Sequence, residues 1–189
     1  MDKKEHIVSS AQSLFAQFGL KKVTMDEIAR EASVSKATLY KYYGNKSEVF
    51  NEVVHREASQ LLNLIENAID AESDSVRRLR AHLRTRLEKV GEFVNFYRVT
   101  QDSWGDYWPY IAGVRQDFLD REQALVEKIL RQGTQCGELE IKNIRMAALA
   151  LVLALASVEY QWSLGKKGIS LTQMVDLMIE MMVNGIRKR

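Results

Sequence analysis

The chain has 189 residues, 46% hydrophobic and 28% charged, with 27 Lys+Arg against 25 Asp+Glu and a net charge of +2. These values fit a globular protein with a proper core and exclude disordered and fibrous classes, while the near-balanced charge selects no partner by itself. A single cysteine, Cys136, excludes a disulfide framework and a cysteine-based zinc site, and one proline with ten glycines leaves room for long helices. The charged start Met1–His6 runs into an amphipathic pattern, so no signal peptide is expected, and the longest apolar run, 146–156, is shorter than the ~18 residues that span a bilayer. A soluble, cytoplasmic protein is expected.

Apolar residues recur at helical spacing almost throughout. Ile7, Ala11, Leu14, Phe15 and Phe18 form a stripe that Gly19 stops. Thr24-Met25-Asp26-Glu27 reads as a capping box opening a short helix over 25–31. Ser35 caps a second short helix over 36–42, and Asn45-Lys46-Ser47-Glu48 opens a long one over 46–69. Val76, Leu79, Leu83, Leu87 and Val90 predict the next helix, and a shorter segment follows from Phe93 to Val99. Pro109 suits the first turn of a helix that ends near Gly133. Two more helices are expected over 142–164 and from a third capping box, Ser170–Gln173, to about 186. Alternating strand patterns of useful length are absent. The expected fold is all-α with about nine helices: an N-terminal three-helix domain over 1–46 and a C-terminal helical bundle over 47–189. Residues 1–50 hold eight Lys/Arg against six Asp/Glu, so the small positive excess lies at that end.

Two short helices joined by a tight turn are the helix-turn-helix arrangement, whose second helix enters the major groove of DNA. Ile28, Ala29, Val34 and Leu39 make its small core, leaving Lys36, Ala37, Thr38, Tyr40 and Lys41 on the outward face. Lysine donates to guanine O6/N7, and threonine and tyrosine offer hydroxyls with apolar surface for a thymine methyl.

The stretch Phe18-Gly19-Leu20, Val23–Ala29, Val34–Phe50 resembles the DNA-binding domain of the TetR family of bacterial regulators over about a quarter of the chain. The resemblance implies that Lys36, Thr38 and Tyr40 lie near bases or adjacent phosphates, with Ser35 and Lys41 beside them. It also implies that Thr24, Tyr42 and Lys46 meet backbone phosphates, and that Tyr43 is a core aromatic. Ser33 and Ala37 stand where the family often has glycine, and Gly44 where it often has proline or a longer polar residue. The rest of the chain resembles the family in architecture alone, as a helical ligand-binding and dimerisation domain.

Other constellations weigh less. Glu52-Val53-Val54-His55 has the spacing of di-iron helices, but a second such pair and two further glutamates are missing, so no metal is expected. No phosphate loop, nucleophile elbow or His-Glu-x-x-His is present, so no catalytic residue, enzyme activity or cofactor is expected. Arg77, Arg78, Arg80, Arg84 and Arg86 lie off the stripe at 76, 79, 83, 87 and 90 and read as a solvated face, with an anionic ligand head group or a supplementary DNA contact as the alternatives. Aromatic residues between 93 and 110 are candidates to line an effector cavity: Phe93, Phe96, Tyr97, Trp104, Tyr107 and Trp108, together with Phe118, Tyr160 and Trp162. The last two helices are apolar nearly all round, and a helix of that kind is buried on every side. In a chain this short that points to a second copy, with Ala150, Ala154, Ser157, Met174, Met178 and Met182 in the seam.

The reading that follows is a homodimeric transcriptional regulator, which the family resemblance implies is most often a repressor. It binds near-palindromic double-stranded DNA, is released by a small apolar or aromatic effector, and has no membrane partner. The alternative is a helix-turn-helix protein without a small-molecule effector, controlled by a protein partner; a well-formed internal cavity separates the two.

Overall fold

The computed structural model describes residues 2–89, 92, 93, 95, 96, 108–163 and 171–186. Among them are eight helices and no sheet: α1 (Lys3–Phe18), α2 (Met25–Glu31), α3 (Lys36–Tyr42), α4 (Lys46–Asp70), α5 (Ser75–Glu88), α6 (Trp108–Gln135), α7 (Ile144–Ser163) and α8 (Leu171–Ile186). The fold is all-α, as the periodicity requires. The short helix expected from Phe93 to Val99 falls largely outside the described residues.

The chain divides into two compact units, one of Met1–Ala58 with Val94–Arg115 and the other of Ser59–Phe93 with Gln116–Arg189. The three-helix domain expected over 1–46 lies wholly inside the first. There α1 buries Ile7, Val8, Ala11 and Phe15, and Gly19 ends it in the left-handed region (φ 79°) with its N–H donating to the Phe15 carbonyl at 2.9 Å. Phe18, at the edge of the predicted stripe, is 49% exposed. The first half of α4 contributes Val49, Phe50, Val53 and Val54, and the Phe15 and Phe50 rings meet edge to face at 5.2 Å. Burying a side chain of this size stabilises the fold by ~1.5–3 kcal/mol.

One charged residue sits inside that core. Glu57 is buried, and its carboxylate accepts from Gln12 Nε2 at 3.0 Å, Asn95 Nδ2 at 2.7 Å and the backbone N–H of Phe96 at 2.8 Å. Burial pushes its carboxyl above the ordinary range, and the hydrogen bonds from Phe96, Asn95 and Gln12 oppose that rise without cancelling it. Glu57 thus ties α4 to α1 and to the 95–96 segment.

In the second unit α5 packs on α7 and α8. Asp74 caps α5 by accepting from the Arg77 N–H at 2.8 Å, and Glu138 Oε2 accepts from the Ser75 N–H at 2.9 Å. Gly133 permits this approach: a Cβ there would lie 2.6 Å from Leu139 Cδ1 and 2.8 Å from Ser75 Cβ. The core comprises Leu79, Leu83 and Leu87 of α5, Val126, Ile129 and Leu130 of α6, and Ala148, Val152 and Leu155 of α7. The arginines of α5 do not form a single solvated face. Arg77, Arg80 and Arg84 are exposed and Arg78 is half-buried, but Arg86 is 1% exposed because it falls one turn beyond His82 on the packed side. Among the described residues no helix is long and apolar enough to cross a membrane.

Candidate nucleic-acid interface

The recognition element is built from its caps inward. Thr24 Oγ1 accepts from the Glu27 N–H at 3.3 Å while Glu27 Oε2 accepts from the Thr24 N–H at 2.8 Å, completing the capping box of α2. The bond from the Thr24 N–H, with a second from the Thr24 hydroxyl to Oε2 at 2.8 Å, holds the Glu27 carboxyl below its ordinary value. The turn into α3 passes through Ser33, whose φ of 51° is left-handed, and closes with the Val34 N–H on the Ala29 carbonyl at 2.9 Å. The glycine that the family often places here would adopt that conformation without a Cβ penalty. Ser35 then caps α3, accepting from the Thr38 N–H at 3.1 Å, with the two hydroxyls 2.9 Å apart.

Ile28, Ala29, Ala32 and Leu39 are all 3% exposed or less and fix α3 against α2. Lys36, Ala37, Tyr40, Lys41 and Tyr42 are exposed, and Thr38 is half-buried. Tyr40 and Tyr42 are large rings left in solvent at 51% and 41% exposure, while Tyr43, which ends α3, is buried. Lys36 Nζ pairs with the carboxylate of Asp26 on α2, which raises its pKa; both side chains are largely exposed, and such pairs are weak. Of the residues proposed from sequence to meet DNA, Thr24, Ser35 and Thr38 thus also hold the local fold.

Lys46 has a placement that sequence reasoning missed. Its Nζ donates to the carbonyls of Val23 at 2.7 Å, Leu20 at 2.8 Å and Lys21 at 3.4 Å, clasping the α1–α2 connection to the start of α4. Burial lowers its pKa. A phosphate contact by this ammonium exchanges one of those bonds. Beside it, Asn45 Oδ1 accepts from the Glu48 N–H at 3.0 Å, and Glu48 Oε2 accepts from the Gly44 N–H at 2.7 Å, capping α4.

The expected effector residues are partly in view. Phe93, Phe96 and Phe118 are buried, the first and last in the second unit and Phe96 in the first. Tyr97, Trp104 and Tyr107 lie outside the described residues, as do the side chains of Trp108, Tyr160 and Trp162. A groove of ≈ 960 Å³ opens on the second unit, but Arg77, Arg80 and Arg84 share its walls with Glu72, Glu88, Asp176 and Glu180, so it favours no sign of charge. Of the expected seam residues, Ala150, Ala154 and Ser157 are exposed and Met178 is half-buried; the side chains of Met174 and Met182 lie outside the description. Met146 and Leu153 add to the exposed face of α7, and Leu177 and Met181 to that of α8.

A capped two-helix unit with a basic, tyrosine-bearing outer face defines a helix-turn-helix DNA-binding protein. Residues 7–53 match the family of bacterial regulatory proteins, tetR family, so the chain carries the DNA-binding domain of that family. It is 43% identical over 53 residues to an uncharacterised HTH-type transcriptional regulator, YhgD, of Bacillus subtilis, a match covering 28% of either chain. The whole fold is similar to that of a transcriptional regulator from Saccharomonospora viridis solved with choline, with a TM-score of 0.82 at 21% identity over 98% of each chain. It is also similar to the regulator FadR from Bacillus subtilis solved with stearoyl-CoA, with a TM-score of 0.72 at 20% identity over 97% of this chain and 99% of that one.

Proposed function

We propose that the chain is a homodimeric, ligand-responsive repressor of transcription, acting in the cytoplasm on a near-palindromic operator. The observation that carries this reading is α3: a helix capped at Ser35 and held by buried Leu39, with Lys36, Tyr40 and Lys41 exposed on its outer face. Lys36 and Tyr40 read base edges, while Thr24, Lys41 and Tyr42 position the domain on phosphates, which fix register without carrying sequence information. The exposed stripe Met146, Ala150, Leu153, Ala154 and Ser157 on α7 lies on one face and, in a single chain, leaves apolar surface in water; a second copy covers it. Two-fold symmetry then places two recognition helices about 34–36 Å apart, one turn of DNA.

The fold neighbours that hold choline and stearoyl-CoA support an effector site in the helical bundle. We assign to it an apolar or aromatic small molecule that releases DNA by favouring a form in which the recognition helices are misplaced. Such a ligand shifts operator affinity only by its own differential affinity for the two forms, typically ~1–3 kcal/mol. The test is titration of the operator complex with candidate ligands: a true effector binds the free protein more tightly than the DNA-bound protein. Equal affinity for both, for every ligand that binds, refutes release by linkage.

A further inference from the structure

Three ionisable side chains lie inside the second unit with almost no access to water: His82 and Arg86 one turn apart on α5, and Glu122 on α6. Glu122 Oε1 takes both contacts, from Arg86 Nε at 2.9 Å and His82 Nε2 at 3.0 Å. The Arg86 guanidinium also lies over the Phe118 ring, 4.6 Å from its centre. The other two polar atoms of the cluster, Glu122 Oε2 and His82 Nδ1, are buried and find no hydrogen-bond partner among the described residues. Buried polar atoms are nearly always paired, and two orphans in one cluster require an explanation. Stability does not supply it, because apolar residues of similar volume commonly replace a buried ion pair without loss.

The chemistry of the two orphans fixes what fits them. Burial pushes the Glu122 carboxyl up, but the Arg86 guanidinium and His82 outweigh it and hold the group below the ordinary carboxylate range. An ionised carboxylate only accepts, so the His82 contact puts the ring proton on Nε2 and, in the uncharged ring, leaves Nδ1 as a lone-pair acceptor. Two acceptors call for a donor. Arg86 lies against Glu122, and a neutral donor pairs the two acceptors without adding a charge to the core.

Resting on the ligand-responsive reading above, we propose that His82, Arg86 and Glu122 form the polar anchor of the effector site, receiving the hydrogen-bond donor of an uncharged hydroxyl- or amide-bearing ligand with an apolar body. Arg86 is a positioning residue that orients the carboxylate; Glu122 Oε2 and His82 Nδ1 make the contact.

The test is calorimetric binding of three matched probes, 2-naphthol, 2-methoxynaphthalene and 2-naphthoate, to the full chain. Wild type binds 2-naphthol at least about tenfold more tightly than the other two, the discrimination expected when a ligand lacking the donor leaves buried acceptors unpaired. An apolar variant, His82→Phe with Arg86→Met and Glu122→Leu, keeps the helical circular dichroism signal and loses that preference to within about twofold. Should this variant not fold, His82→Phe alone keeps the Arg86–Glu122 pair and lowers the preference by at least about threefold. Equal binding of naphthol and its ether means a hydrated structural cluster and overturns the proposal. So do tightest binding of naphthoate, absence of binding by all three, and a preference that survives the variants. Operator release is measured separately: if 2-naphthol binds with the expected preference but leaves operator affinity unmoved, the anchor stands and the ligand-responsive reading fails.

Discussion

Replacing Glu57 with leucine removes one carboxylate and three hydrogen bonds at once. Gln12 Nε2, Asn95 Nδ2 and the Phe96 N–H all lose their acceptor, and Glu57 and Asn95 are almost completely buried, at 1% and 2% exposure. A hydrogen bond to a charged group contributes ~1.5–3 kcal/mol, and each donor left buried without a partner costs ~1–3 kcal/mol. Asn95 Nδ2 keeps its 3.1 Å bond to the Gln12 carbonyl, which limits the loss at that side chain. The loss expected for Glu57→Leu is therefore ~3–5 kcal/mol, reduced to ~1–2 kcal/mol for Glu57→Gln, which retains one acceptor. Urea unfolding at equilibrium measures both. The pH dependence has a definite sign. Because burial raises the folded-state pKa of Glu57, its contribution is greatest below the unfolded carboxyl value and declines as pH rises through the raised value. The gap between wild type and Glu57→Gln therefore narrows as pH rises from ~4.5 through that value. A Glu57→Leu protein within about 0.5 kcal/mol of wild type, the range of an ordinary surface change, refutes the account of this node.

Three further outcomes follow from the geometry. Lys46→Met releases the carbonyls of Leu20, Lys21 and Val23 and lowers unfolding free energy by ~1–3 kcal/mol; a melting temperature equal to wild type contradicts the clasp. Asp26→Asn frees Lys36 and removes a negative charge beside α3, so binding to random DNA tightens severalfold at low salt and the gain fades at high salt. Ala150→Glu or Ala154→Glu places an unpaired charge in the proposed seam and gives monomers in sedimentation equilibrium; an unchanged dimer for both puts the interface elsewhere.

The local grammar of the DNA-binding domain was legible because its signals are short-range. Thr24 with Glu27, Ser35 before α3 and Asn45 with Glu48 act within four residues, and each forms the cap that its spacing announces. What sequence reading missed depends on partners far along the chain. Arg86 reads as one of five surface arginines until Glu122, 36 residues on, draws it inward. Glu57 and Glu122 both fall on buried helix faces, one turn from Val53 and Phe118, and a charge in that register was the available clue. Lys46 points back to carbonyls more than 20 residues earlier, a contact that no local pattern encodes. Sequence predicted apolar excess on the last two helices, and the exposed stripe of α7 is the face where that excess meets solvent.

The measurement that bears most directly on the central claim is the ratio of specific to non-specific DNA affinity. The operator is selected from random duplexes by wild-type protein, and both affinities are then measured at one salt concentration, since values at different salt are not comparable. Wild type selects a near-palindromic sequence. Lys36→Ala and Tyr40→Ala each lower the ratio by at least about tenfold while changing random-DNA binding far less, as loss of base contacts requires. An unchanged ratio for both variants, or no sequence enriched by wild type, contradicts the assignment of α3 as the recognition helix.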